Sequence, residues 1–218
     1  MRSVFIMKRH LFSFFVLCLC AMAWMVVLRG GLPMVEVSEV AEEEEAVAVM
    51  AYVGSGQTHI RGVSRVTLEE AREWAIRRGA TEEFVAIAAE YWRLGELMGI
   101  RPDVMYAQAA KETAFGRFGG AVTPDQNNWA GVKTEDATGD EREDHQSFDT
   151  PEAGVLAHFN HMAAYVGVEP IGELHPRFHV VMRTSWAGTI MWVEELGGRW
   201  APALDYGESI VRDFMADM

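Results

Sequence analysis

The sequence has little cysteine, and the positions of its cysteines exclude a domain held together by disulfides. Only Cys18 and Cys20 occur among the 218 residues, and both lie inside an uncharged N-terminal run. Whatever folds after this run therefore lacks the thiols for a disulfide or for a cysteine-ligated metal. A hydrophobic core must stabilise that part, and with 50% hydrophobic residues the chain is long enough to build one.

Positive charge is also scarce. The chain has 19 Lys and Arg against 32 Asp and Glu, a net charge of −13. Residues 1–29 contain four of the basic residues and no acidic one, so the remainder is near −17. Such a surface is a poor match for a polyanion, and we expect no nucleic-acid partner.

The H-E-x-x-H pattern of many zinc enzymes is absent as well. His158 and His161 are three residues apart and His175 and His179 are four apart, spacings that can bind zinc from one helix. Without that pattern, and without a downstream cysteine, packing or groove-lining roles are favoured for these histidines. We therefore predict no metal site.

One long hydrophobic run stands at the N-terminus. Residues 11–28 carry no charge, and as a helix these 18 residues just span a hydrocarbon core. Three basic residues precede the run and one follows closely, which places the N-terminus in the cytoplasm and the rest outside the cell membrane. The length favours an uncleaved single-pass signal anchor over residues 1–29. A cleaved signal, with "AMA" at 21–23 as its site, is the alternative and implies secretion.

The rest of the chain divides into a linker and a domain. Residues 30–65 lack a sustained period and contain an acidic run at 42–45, which predicts a solvated acidic linker. The domain is predicted over residues 66–218, with helical spacing in "TLEEAREWAIRRG", "TEEFVAIAAEYWRLGELMG", "PEAGVLAHFNHMAAYVG" and "YGESIVRDFMADM". Residues 119–150 are rich in Gly, Asn, Asp and Thr, and loops this long are often functional. These patterns predict a mostly helical domain with one inserted polar lobe.

One helical segment ends in an acid before a glycine-rich break. Met105, Ala109 and Glu112 share a helix face, and Gly116 opens the break. A carboxyl at the end of an apolar stripe is partly buried, which raises its pKa and keeps its proton near neutral pH. A general acid needs that property. A solvated or ion-paired glutamate is the alternative from position alone.

Four segments, in this order, resemble a known family: "QAAKETAFGRFGG", "NNWAGVKT", "SFDTPEAGVLAHFNHMAAYVG" and "ELGGRWAPALDYGESIV". Together they resemble the peptidoglycan N-acetylglucosaminidases of glycoside hydrolase family 73, over about residues 83–218. The resemblance implies an α+β, mainly α, lysozyme-like fold, with a glycan groove between a helical part and a small, partly β lobe. It also implies hydrolysis of the β-1,4 bond after N-acetylglucosamine in peptidoglycan strands, without a metal or cofactor.

The resemblance assigns the catalytic acid to Glu112, the glutamate of the family's "ET" motif. A second carboxylate is expected from the lobe segment "GDEREDH". Glu141 is ranked first there, with Asp140 and Glu143 as alternatives. The 2-acetamido group of the substrate can also act as the internal nucleophile, in which case the second carboxylate only assists.

Substrate-binding candidates come from the same motifs: Asn127, Asn128, Trp129, Tyr165, Trp200 and Tyr206. The two asparagines either shape a turn or bond sugar amides and hydroxyls. Trp129 either packs in the core, which is favoured, or stacks on a sugar. The family's "Tyr-Ala-Thr-Asp" segment is replaced by "WAPALDY", so Trp200 excludes a catalytic hydroxyl at its position, whereas Tyr206 keeps the last aromatic.

Two rival functions remain open at this point. Muramidases and lytic transglycosylases share the lysozyme-like fold, but their helix-end glutamate is usually followed by Ser, whereas Thr113 follows here. A membrane-anchored protein that binds peptidoglycan without cutting it is the second rival, and the lost "Tyr-Ala-Thr-Asp" segment favours it.

Overall fold

The computed structural model describes residues 56–218. The predicted signal anchor over residues 1–29 and the predicted linker up to residue 55 lie outside the described residues. Within residues 56–218, no helix is both long and apolar enough to cross a membrane.

Helices dominate this part of the chain. The α-helices of residues 56–218 are α1 (Leu68–Arg77), α2 (Glu82–Met98), α3 (Pro102–Thr113), α4 (Pro151–Val166), α5 (Pro176–Met182) and α6 (Tyr206–Ile210). Shorter 3₁₀ turns cover Pro124–Gln126, Arg142–Asp144 and Val193–Leu196, and a π-helical turn, Val211–Met215, follows α6. The expected mainly helical class is confirmed.

Extended pairing in the described range is limited to isolated β-bridges. They join His59 with Trp192, Arg61 with Ile100, Lys133 with His145, and Gly197 with Ala201. The polar lobe, residues 119–150, contains one of these bridges, so its β content is smaller than the family resemblance implies.

The helix starts follow from local capping. Thr67 and Glu70 form a capping box, with the Glu70 N–H donating to the Thr67 hydroxyl at 3.2 Å and the Thr67 N–H donating to the Glu70 carboxylate at 2.7 Å. Thr81 caps α2 and Thr150 caps α4 without a reciprocal partner, each hydroxyl accepting the backbone N–H of the residue three positions later. These predicted helix starts are confirmed.

Helix α3 lies at the centre of the domain. Residues 102–110 are all buried, so the helix is enclosed on every side and not only along the predicted stripe. Its three buried polar side chains have partners: Asp103 forms an ion pair with buried Arg101, Gln108 is hydrogen-bonded, and the Thr113 hydroxyl donates to the Ala109 carbonyl. Only the last turn, which carries Glu112, emerges from the core.

The end of α3 is sharper than the glycine pattern predicted. The helix stops at Thr113, and Ala114 and Phe115 take left-handed backbone conformations, with φ of 48° and 61°, before Gly116. A Cβ at Gly116 would lie 2.8 Å from the Cβ of Phe84. Gly116 is therefore required where the chain passes close to the start of α2.

A short segment before α1 packs on the domain. Residues 58–61, which the sequence placed in the linker, include the fully buried Ile60. The Ile60 N–H donates to the Met191 carbonyl at 3.0 Å, and its carbonyl accepts from the Arg101 N–H at 2.9 Å.

The lobe is held together mainly by hydrogen bonds. The Asp144 carboxylate accepts backbone N–H groups from Thr138 at 3.0 Å, Gly139 at 3.3 Å and Glu141 at 3.0 Å. These bonds lower the pKa of Asp144, the bond from Glu141 most. Asp144 therefore serves as the structural anchor of the segment that contains the candidate second carboxylates.

Within residues 56–218, His145, His158, His161 and His175 are buried, and burial acts most strongly on the last three. Burial lowers the pKa of His158 to about 3 and that of His175 to about 4, and it lowers the pKa of His161 well below its ordinary value. The rings of His161 and His175 lie 5.2 Å apart, centroid to centroid, so one positive charge would also oppose the other.

The domain should therefore lose stability in mild acid. Below about pH 6.5 the unfolded chain protonates His158, His161 and His175 while the folded chain does not, which removes about 1.4 kcal/mol per histidine for each pH unit until the folded pKa is reached. Urea midpoints measured from pH 7.5 to pH 5 should fall steeply. A midpoint that stays level over this range would contradict the prediction.

Candidate active site

Glu112 lies on the last turn of α3, where solvent reaches its side chain. The hydroxyl of Tyr206 donates a short hydrogen bond to its Oε1. Its Oε2 faces the lobe, because a Cβ built at Gly131 would lie 3.3 Å from this oxygen. Gly131 has a φ of +60°, and its missing side chain lets the lobe backbone approach the carboxyl.

The environment of Glu112 suits a proton donor. Burial by the surrounding protein raises the pKa of its carboxyl, although the side chain keeps access to solvent. The Tyr206 hydrogen bond, the charge of Lys111 and the Trp200 side chain partly oppose this rise. The group is therefore accessible and disposed to keep its proton at higher pH than an ordinary glutamic acid.

Tyr206 holds the Glu112 carboxyl from α6. It is 4% exposed, and its hydroxyl accepts the side-chain N–H of Gln108 at 3.0 Å. Burial and the neighbouring Glu112 raise the pKa of Tyr206 well above its ordinary value, so its hydroxyl stays protonated. Gly207 allows this placement, since a Cβ there would lie 1.9 Å from the Val193 carbonyl oxygen.

Trp200 and Tyr165 form an aromatic pair beside this site. Their ring centroids are 5.2 Å apart, and Trp200 also packs 4.9 Å from the ring of His161. Trp200 is half-buried, whereas Tyr165 is 3% exposed and donates its hydroxyl to the Arg199 carbonyl at 3.2 Å. Trp200 is thus the ring that can meet a ligand, and Tyr165 supports it from behind.

The asparagines of "NNWAGVK" shape the lobe turn. The Asn128 side chain, 1% exposed, donates to the Val132 carbonyl at 2.9 Å and accepts the Val132 N–H at 2.9 Å. Asn127 donates its side-chain amide to the Phe148 carbonyl at 2.8 Å. Of the two roles left open for these residues, turn formation is the one that their contacts describe.

Trp129 is packed inside the protein. It is 3% exposed, its indole N–H donates to the Pro151 carbonyl at 3.1 Å, and its ring lies 5.6 Å from that of Phe118. These contacts agree with the favoured packing role, and they leave little of the ring for a sugar.

The lobe carboxylates have different surroundings. Asp140 is ion-paired with Lys133 at 2.9 Å and lies 3.4 Å from the His145 ring nitrogen, and its pKa is lowered chiefly by Lys133. Glu141 and Glu143 are exposed and form no ion pair within residues 56–218. No hydrogen bond or ion pair joins any of the three to Glu112 in this part of the chain.

Sequence reasoning missed one polar residue behind the site. Gln108 is fully buried one turn before Glu112, and it bonds both Tyr206 and the ring of His158. The i, i+4 spacing of Gln108 and Glu112 was a usable signal, because it puts both on one helix face. For metals, residues 56–218 contain no group of three or more His, Cys, Asp or Glu side chains placed to hold an ion.

A mainly helical domain that presents a carboxylic acid of raised pKa to solvent is an arrangement suited to glycoside hydrolysis. The comparison with protein families agrees. The glucosaminidase model, described as mannosyl-glycoprotein endo-beta-N-acetylglucosaminidase, matches residues 88–212, more than half of the chain. The protein is a glycoside hydrolase and belongs to the glucosaminidase family, as the sequence resemblance predicted.

A relative occurs in Borreliella burgdorferi, where it is described as an uncharacterized protein. It is 26% identical over 171 residues, which cover 77% of this chain and 76% of the relative. No solved structure matches the chain, so the lysozyme-like form of the fold stays a prediction.

Proposed function

We propose that the protein is an endo-β-N-acetylglucosaminidase that hydrolyses the β-1,4 bond after N-acetylglucosamine in bacterial peptidoglycan, with Glu112 as its general acid. The observation that carries this proposal is the Glu112 carboxyl itself: accessible to solvent, raised in pKa by burial, and bonded to Tyr206. Membership of the glucosaminidase family supports the substrate class.

In the proposed reaction, Glu112 gives its proton to the glycosidic oxygen as the bond from that oxygen to the sugar C1 breaks. The Glu112 carboxylate that results is stabilised by the Tyr206 hydroxyl and the charge of Lys111. A water then attacks C1 and returns a proton to Glu112, so the enzyme is restored. The half-buried ring of Trp200, beside Glu112, is suited to stack on a pyranose.

The second catalytic group is proposed to come from the lobe or from the substrate. Glu141 remains the first candidate, because Asp140 is already paired with Lys133. If Glu141 supports the positive charge at C1, Glu141→Gln should lower turnover strongly and leave glycan binding intact. Asp140→Asn and Glu143→Gln should have smaller effects. Three equal and mild effects, in assays on purified sacculi, would instead assign this role to the 2-acetamido group.

Sacculus digestion tests the proposal against the rival without catalysis. The full-length protein should release soluble glycan fragments from purified sacculi. Stable binding to sacculi with no release would favour the membrane-anchored binding protein and would remove the enzymatic proposal. A muramidase or lytic transglycosylase would also release fragments, and the reducing end of the products separates these activities.

We also propose that residues 1–29 anchor the protein in the cell membrane with the domain outside. The full-length protein should stay in the membrane fraction after a carbonate wash, because a helix of this hydrophobicity does not leave the bilayer at high pH. Its C-terminal part should be cut by external protease in spheroplasts. A soluble product that begins shortly after Ala23 would show that the run is a cleaved signal.

A further inference from the structure

Behind Glu112 lies a continuous chain of buried hydrogen bonds that crosses four helices. It runs from Tyr91 on α2 to His158 on α4 at 2.9 Å, from His158 to Gln108 on α3 at 3.1 Å, and from Gln108 to Tyr206 on α6 at 3.0 Å. The last bond joins Tyr206 to Oε1 of Glu112. The first three residues are fully buried.

The far end of this chain fixes the direction of every bond in it. Within the described residues, the hydroxyl of Tyr91 has one hydrogen-bond partner, Nδ1 of His158. Tyr91 must therefore donate, because the reverse arrangement would leave its buried hydroxyl proton without an acceptor. Nδ1 of His158 then carries no proton, and the Nε2–H of this ring donates to the side-chain oxygen of Gln108.

The same logic continues to Glu112. The side-chain oxygen of Gln108 accepts from His158, so the amide N–H group of Gln108 faces the Tyr206 oxygen and donates to it. Tyr206 can then direct its own proton only towards Oε1 of Glu112. The oxygen that accepts the Tyr206 hydrogen bond is favoured as the carbonyl oxygen, because a carbonyl oxygen is a better acceptor than the hydroxyl oxygen of an acid, and this favours Oε2 as the site of the acidic proton.

We infer that Tyr91, His158 and Gln108 are positioning residues that fix Tyr206 as a donor to Oε1 and thereby favour Oε2 as the site of the transferable proton of Glu112. This inference rests on the proposed role of Glu112 as general acid. Oε2 is the oxygen that faces the lobe turn at Gly131, the side from which the lobe can present a substrate.

The groups that act on Glu112 are few in the described structure. They are Lys111 on its own helix, Tyr206 on α6 and Trp200 in the preceding loop, while the nearby lobe turn presents the backbone at Gly131. His158 is neutral at working pH, since burial lowers its pKa to about 3. A substitution at Tyr91 therefore affects Glu112 by changing the direction of the hydrogen bonds between them, and not by changing the charge of His158.

Tyr91→Phe tests the inference, with Tyr106→Phe as its matched control. Both tyrosines are fully buried, their rings lie 5.5 Å apart, and each hydroxyl makes one hydrogen bond. The Tyr106 hydroxyl donates to the Phe84 carbonyl at 2.9 Å, and this bond is not part of the hydrogen-bond chain that ends at Glu112. The two variants should lose similar stability, so a difference in catalysis reports the chain itself.

Tyr91→Phe leaves Nδ1 of His158 without a donor. The His158 ring is then free to change tautomer, and the hydrogen bonds between His158 and Tyr206 are free to reverse their direction. The kcat on sacculus fragments should fall about five- to tenfold, the effect of one hydrogen bond, with KM unchanged. The limb where activity falls with rising pH should move to higher pH, because the Glu112 carboxylate loses a donor. Tyr106→Phe should keep the wild-type kcat and pH profile.

A pH profile of Tyr91→Phe that superimposes on that of Tyr106→Phe would overturn the inference. If Tyr91→Phe fails to fold, His158→Phe removes the donor that orients the Gln108 amide, so that this amide can turn its oxygen towards Tyr206 and take its proton, and the same limb should move in the same direction. An unmoved limb in that variant would equally overturn it. The proposed function fails separately, if wild type does not cut or if Glu112→Gln still cuts, and the inference then falls with it.

Discussion

Glu112→Gln should lower the rate of peptidoglycan hydrolysis by at least about 10²–10⁴-fold, the usual contribution of general acid catalysis. Gln keeps the shape of the side chain and can still accept the Tyr206 hydrogen bond through its amide oxygen, but it has no proton to transfer. In the wild type, activity should fall as pH rises through the pKa of Glu112, which lies above the ordinary glutamate value. The variant should lose this dependence together with its activity.

Stability should move in the opposite direction to activity. The stabilisation from a carboxyl whose pKa is raised in the folded state is fully present below the unfolded pKa and is lost as pH rises through the folded pKa. Glu112→Gln should therefore match the wild-type thermal midpoint at low pH and exceed it at neutral pH.

The matched control for both effects is Glu96→Gln, an exposed glutamate on α2. It should change neither the digestion rate nor the midpoint. Near-normal digestion by Glu112→Gln would remove Glu112 from the mechanism. Lost digestion together with a collapsed midpoint would make Glu112 a structural residue, since the control excludes a general effect of removing a charge.

Gly154→Ala should destabilise the domain and also impair catalysis. In most helix interiors this change stabilises by about 1 kcal/mol. At Gly154, on α4, the added Cβ would lie 1.7 Å from the backbone oxygen of Asn127 and 3.1 Å from the Trp129 ring. The lobe turn would have to move away from α4, and forced repacking of this kind costs about 1–3 kcal/mol.

The loss of activity follows from the position of that turn. The segment that begins at Asn127 continues to Gly131, which faces Oε2 of Glu112. Displacement by even about 1 Å of a residue that orients substrate can lower a rate 10²-fold. Gly120→Ala is the control, because its Cβ would meet open space and its backbone is not left-handed. An unchanged or raised thermal midpoint for Gly154→Ala would contradict this contact between α4 and the lobe.

Local chemistry explains what the sequence could predict. The capping pair Thr67 and Glu70 depends on two residues three positions apart, and the helix expected to start at Thr81 is capped by that residue, so local spacing was enough for both starts. Glu112 was predicted as the candidate acid from its place at the end of a helical segment and from the family motif. Its raised pKa agrees with that expectation.

Distant contacts explain what the sequence left undecided. Tyr206 bonds Glu112 across 94 positions and Gln108 bonds His158 across 50, and no local period predicts either pair. The motif "WAPALDY" indicated only that a hydroxyl is missing at Trp200. The structure shows that the hydroxyl bonded to Glu112 comes from Tyr206, the last residue of this motif.

The asparagines illustrate the same limit. Asn127 and Asn128 are residue types that bind sugars and also shape turns, and only their carbonyl partners in the lobe distinguish the two roles. The second carboxylate could not be chosen either, because four acids lie within "GDEREDH" and only their contacts separate them. Of these, Asp144 anchors the loop backbone and Asp140 pairs with Lys133.

Reducing-end analysis of digested peptidoglycan tests the central claim most directly. Sacculi are incubated with the full-length wild-type protein or with Glu112→Gln, and the soluble fragments are examined by mass spectrometry. N-acetylglucosamine at the new reducing ends for the wild type, and no new ends for Glu112→Gln, is the predicted result. N-acetylmuramic acid or its 1,6-anhydro form at those ends, or equal products from both proteins, would contradict it.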